Sequence, residues 1–66
     1  MMSATFSVNK NKGLVEINIT SNEIDRIYLI KEVKRYLYDK GFKNVEVFHK
    51  GEKYESFNHR LSRYVK

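Results

Sequence analysis

The chain contains no cysteine, which excludes a disulfide framework and thiolate metal sites together. No run approaches the roughly 20 apolar residues that a membrane span needs. The start, MMSATFSVNK, lacks the basic and then apolar pattern of a signal peptide. The expectation is therefore a cytoplasmic protein with no membrane association. Proline and tryptophan are also missing, whereas Lys, Asn, Ile, Tyr and Phe are abundant. That bias accompanies AT-rich coding and suits a small phage, plasmid or bacterial protein. No repeat, linker or low-complexity stretch divides the 66 residues, so a single domain, 1–66, is expected. So short a chain lies near the limit at which one hydrophobic core outweighs the entropy of ordering it. With disulfides excluded, the remaining supports are a well-formed core, a homodimer or a partner.

What the chain does contain is typical of a folded domain: 41% hydrophobic residues, 32% charged residues, five tyrosines and four phenylalanines. ATFSVN and LVEINIT alternate with a period of two, placing Phe6 with Val8 and Val15 with Ile17 and Ile19 on apolar faces. The joining KNKG carries the Asn and Gly that supply positive φ in a hairpin turn. The opposite face, with Thr5, Ser7, Glu16, Asn18 and Thr20, is polar and should be wet.

A helix of about 17 residues, roughly 25 Å long, follows. Asn22 is placed to cap it, Glu23 and Asp25 complement its dipole, and Gly41 closes it with Phe42 folding back on Leu37. NVEVFH reads as a third strand, KG as a turn and EKYESF as a returning fourth strand. Phe57, Leu61, Tyr64 and Val65 then recur at spacings that suit a short C-terminal helix. The expected fold class is α+β in the order ββαββα. A three- or four-stranded antiparallel or mixed sheet carries one long helix on one face, and the crossover sets strand three beside strand one.

At 100° per residue, Ile27, Leu29, Ile30, Val33, Tyr36 and Leu37 share the sector of the helix that faces the sheet. Ile24, Tyr28, Lys31, Arg35 and Tyr38 form a second strip on the other side. An ordered strip of tyrosines and bases has the composition of a protein-binding surface. It can equally be covered by the C-terminal segment, with Phe57, Leu61 or Tyr64 packed on Tyr28 and Tyr38, or by a second copy of the chain.

The net charge of +5 is concentrated after residue 39, where Lys40, Lys43, Lys50, Lys53, Arg60, Arg63 and Lys66 face only Glu46, Glu52 and Glu55. Such a surface attracts phosphate polyanions or an acidic protein. Lys50, Lys53, Arg60, Arg63 and Lys66 are the expected phosphate contacts, with Tyr54, His59 and Tyr64 interleaved as rings that could stack on bases. A solubilising surface would have the same composition.

Catalysis would have to rest on His49 and His59 near Lys50 and Lys53, both in ordinary places for surface histidines. No catalytic, metal-ligating or phosphate-loop motif is present, and no catalytic residue, metal or cofactor is assigned. The leading expectation is a small basic, non-enzymatic protein that binds nucleic acid, DNA or RNA, or acts as a regulator. The alternative is a protein-binding modulator that works through the helix strip.

Overall fold

The structure, a computed structural model, describes residues 2–58. Its elements run β1 (Ala4–Asn9), β2 (Leu14–Ile19), α1 (Arg26–Lys34) continuing into a π-helical turn (Arg35–Asp39), β3 (Asn44–His49) and β4 (Glu52–Asn58). The fold is α+β, with a four-stranded mixed sheet and one helix. The order over the described residues is β-β-α-β-β. The helix expected around Leu61, Tyr64 and Val65 lies outside them. Phe57, also assigned to it, sits in β4, opposite Val45 and buried. It therefore belongs to the core and does not cover Tyr28 or Tyr38.

The strand order is β1-β2-β3-β4, with antiparallel outer pairs and a parallel central pair. Strand three thus lies beside strand two, which corrects the expected placement next to strand one. Composition accounts for it. β2 and β3 carry Val15, Ile17, Ile19, Val45 and Val47, all fully buried, and pairing them directly puts the most apolar strands under the helix. β1 offers only Phe6 and Val8 and takes an edge, where both stay 40% and 46% exposed despite facing the helix side of the sheet. The parallel register is held at one end by the Lys43 and Asn44 amides donating to Gly13 O, at 2.8 and 3.0 Å. At the other end the Lys50 amide donates to Ile19 O at 3.0 Å.

The hairpin turn uses one positive φ, at Gly13 (+62°), and its Asn contribution comes from outside the quoted turn. Asn9 Oδ1 accepts from the Lys12 amide at 3.1 Å, an Asx-type closure. The second turn has positive φ at both Lys50 (52°) and Gly51 (85°), the geometry of a two-residue type I′ hairpin.

The helix is shorter than expected because its cap is Asp25, whose Oδ1 accepts from the Tyr28 amide at 3.1 Å. Asn22 instead accepts a hydrogen bond from the Lys50 ammonium. Leu29, Val33 and Leu37 point into the core and Ile30 and Tyr36 pack at its margin, but Ile27 is 83% exposed, contrary to expectation. Starting the helix at Arg26 leaves Ile27 in the first turn on the solvent side.

The π turn has a packing rationale. In an α-helix each four-residue step overshoots a full turn by about 40°, so Leu29, Val33 and Leu37 would drift apart. The wider turn, in which the Lys40 amide reaches back to Arg35 O at 3.1 Å, takes back that drift. It also lengthens the C-terminal closure by one residue. The Phe42 amide bonds Tyr36 O at 3.0 Å, and the Phe42 ring meets Tyr36 edge-on at 5.9 Å. Gly41 has the expected left-handed backbone, with φ of +73°. Among the described residues no helix is long and apolar enough to cross a membrane.

Candidate functional site

Because β2 and β3 are parallel, the β1–β2 turn, the end of the helix and the start of β3 all meet at one end of the molecule. That end carries Lys10 and Lys12 from the turn, and Lys40 and Lys43 from the segment after the helix. The Lys43–Gly13 hydrogen bond ties the two together. Asp39 is the acid in these segments, and among the described residues none of the four lysines is ion-paired. β4 finishes there as well, with Asn58 paired to Asn44, so the chain leaves the described residues at the lysine-rich end. Arg60, Arg63 and Lys66 follow in sequence.

Between the end of β1 and the end of the helix lies a groove of about 590 Å³ lined by Val8, Lys10, Gly13, Tyr36, Lys40, Gly41 and Phe42. Its wall is an aromatic cluster. Phe6 and Tyr36 have ring centroids 5.8 Å apart, and the Lys40 ammonium stands 5.1 Å above the Tyr36 ring. The groove stays open beside edge strand β1, whose Phe6 and Val8 remain partly exposed.

The residues expected to bind nucleic acid divide between the two ends. Lys50, Lys53 and Tyr54 lie toward the far end, and each is engaged. Lys50 donates to Asn22, the Lys53 ammonium is 3.3 Å from Glu46, and Tyr54 lies under the Arg26 guanidinium, 5.9 Å from its ring centroid. Arg26 in turn is ion-paired with Glu55. Its hydrogen bonds to Glu55 and Tyr54 raise its pKa further above the ordinary arginine value. The stability linked to that shift is present below the unfolded value and lost only above it, so Arg26 stays charged throughout the working pH range. Glu23, Asp25, Glu52 and Glu55 make this end mixed in sign. His59, Arg60, Arg63, Tyr64 and Lys66 lie outside the described residues.

His49 Nε2 donates to Ser21 O at 2.8 Å, which gives this half-buried ring a structural partner between β3 and the loop before the helix. The uncovered face of the sheet is a poor site for a polyanion. Glu16 and Glu46 are directly paired across β2 and β3, and Lys53 is committed to Glu46.

The helix strip is only partly a surface. Ile24 packs against the core margin, while Tyr28 and Tyr38 remain 45% and 42% exposed beside exposed Lys31 and Arg35. Arg35 lies 3.9 Å from Glu32.

Sequence reading missed the groove and its lysines. Lys10 and Lys12 are far from Lys40 and Lys43 in the chain, and only the parallel pairing of β2 with β3 brings them together. No protein-family model matches this chain, and no curated protein or solved structure matches it either.

Proposed function

We propose that the protein is a cytoplasmic, non-enzymatic nucleic-acid-binding or regulatory protein, and that its contact surface is the lysine-rich end of the domain. The observation that carries this reading is the convergence of Lys10, Lys12, Lys40 and Lys43, without ion-pair partners among the described residues, beside an open aromatic groove. Unpaired lysines release counterions when they meet phosphate, whereas Lys53 would first have to leave Glu46. Arg60, Arg63 and Lys66 follow Asn58 in sequence, and we assign them to the same contact. Lys50, Lys53 and Tyr54 are given secondary roles at most. Anisotropy titration of a labelled single-stranded oligonucleotide tests the reading. Lys12→Ala with Lys43→Ala should weaken binding about tenfold at moderate salt, and Arg60→Glu with Arg63→Glu should weaken it as well. Unchanged affinity in both variants would refute the assignment.

A second reading keeps the strip of Tyr28, Lys31, Arg35 and Tyr38 as a surface for a protein partner. It is favoured by the neighbouring exposure of Ile27, an apolar side chain beside Arg26, Lys31 and Lys34. Tyr28→Ala with Tyr38→Ala should then abolish capture of that partner while the thermal midpoint moves little, and retained capture would count against it. For the homodimer that so short a chain invites, we assign the free edge of β1 as the pairing surface.

A further inference from the structure

We infer that the groove between β1 and the end of the helix holds one unpaired base of a single-stranded nucleic acid against the Tyr36 ring, with Lys10 and Lys40 taking its flanking phosphates. This inference rests on the nucleic-acid reading above and names the residue that would touch a base.

Three features of the groove point to this occupant. Its floor and wall are apolar and aromatic, from Val8, Tyr36 and Phe42, with Phe6 alongside. Its rim is cationic, from Lys10 and Lys40, so a purely apolar occupant would leave the two ammonium groups without a counter-charge. A nucleotide unit supplies both parts, a flat π surface and an adjoining anion.

The position of Lys40 is also informative. Its ammonium stands over the face of Tyr36, a cation held by the ring quadrupole. An arriving base takes that place on the ring, and the flexible Lys40 side chain turns to the neighbouring phosphate, so the cation exchanges one partner for another. Tyr36 itself is anchored from behind. Phe6 and Phe42 pack against it and the Phe42 amide bonds its carbonyl, which holds the ring in place before the ligand arrives. The closure that follows the π turn supports this arrangement, because it brings the Phe42 amide to Tyr36 O. The ring is half-buried, so a base within a duplex, whose faces are already stacked, cannot reach it, whereas an unpaired base can.

The test compares two labelled strands of equal phosphate number, one oligothymidylate and one wholly abasic, on the wild-type protein and on Tyr36→Leu. The wild type should bind the thymidylate strand about tenfold more tightly than the abasic one. Tyr36→Leu should remove that difference while leaving abasic binding unchanged. Because Tyr36 also supports Phe6 and Phe42, a second readout uses the wild type alone. Its Tyr36 ring resonances should shift on adding the thymidylate strand and stay in place with the abasic strand. Equal affinity for the two strands, or an unmoved Tyr36 ring, would overturn the inference and leave phosphate binding by the lysine-rich end standing. A thymidine mononucleotide that competes as well as the strand would overturn the assignment to a strand. Failure of the wild type to bind either strand would overturn this inference together with the functional reading beneath it.

Discussion

At the scale of single residues, the two positive-φ positions of the β3–β4 turn show how local chemistry and surface function separate. Gly51 occupies its position without strain, but Lys50, at φ of 52°, pays the penalty of a Cβ in a left-handed conformation. Its ammonium recovers part of this through Asn22. Asn is the residue such a turn favours, so Lys50→Asn should raise unfolding stability by up to about 1 kcal/mol, read from the midpoint of a urea titration. Because Lys50 lies at the end opposite the lysine cluster, the same variant should keep its affinity for a single strand. A destabilised Lys50→Asn protein would contradict the strain argument, and a stable one with lost affinity would move the contact surface to the β3–β4 turn. Asp25 is a different case. Sequence reading assigned it to the dipole and Asn22 to the cap, because both are good cap residues near one entrance. What selects Asp25 is the start of the core-facing residues at Leu29, whose amide reaches Asp25 O at 2.9 Å.

At the scale of elements, the strands were legible and their neighbours were not. A period of two in ATFSVN, LVEINIT and NVEVFH locates β1, β2 and β3 nearly to the residue, since a half-buried strand imposes that alternation on its side chains. Nothing in a period of two says which strand lies beside which. That choice depended on how much apolar surface each strand could bring under one helix. The π turn was hidden for a similar reason, because a widened turn is a response to the sheet beneath it and leaves no mark in the periodicity.

The edges show the same dependence on assembly. β4 is protected by a register shift after Val47 and by Glu52, Lys53 and Glu55. β1 has an unbroken register and no charged residue. Ser3 O accepts from the Thr20 amide at 2.9 Å, so by alternation the backbone groups of Ala4, Phe6 and Val8 face outward. A second copy running antiparallel about Ser7 would set Phe6 against Val8 on the same face of a continuous sheet. Light scattering at high protein concentration should accordingly report a dimer for the wild type and a monomer for Ser7→Lys, which places a charge on the edge. A wild type that remains monomeric would exclude this pairing.

At the scale of the whole molecule, charge is distributed by topology more than by sequence. The basic excess read after residue 39 is real, yet folding divides it. Lys40 and Lys43 join Lys10 and Lys12 at one end, while Lys50 and Lys53 go to a far end where Glu23, Asp25, Glu52 and Glu55 accompany them. The candidate site was therefore half legible. The sign of the surface and the presence of rings among the bases could be read from the chain, but Tyr36 was read as core and Lys10 and Lys12 as turn residues. Both readings were locally sound, since Tyr36 does pack at the core margin and the two lysines do sit in a turn. What they could not contain was the groove that forms between β1 and the end of the helix.

The most direct test of the lysine-rich end as the nucleic-acid contact is the salt dependence of single-strand affinity, measured by anisotropy on the wild type and on Lys12→Ala with Lys43→Ala. Each phosphate contact on a single strand contributes about −0.7 to the slope of log affinity against log salt. The account predicts a steep wild-type slope that becomes shallower by about 1.4 in the double variant. A slope that is the same in both proteins, with binding intact, would contradict it.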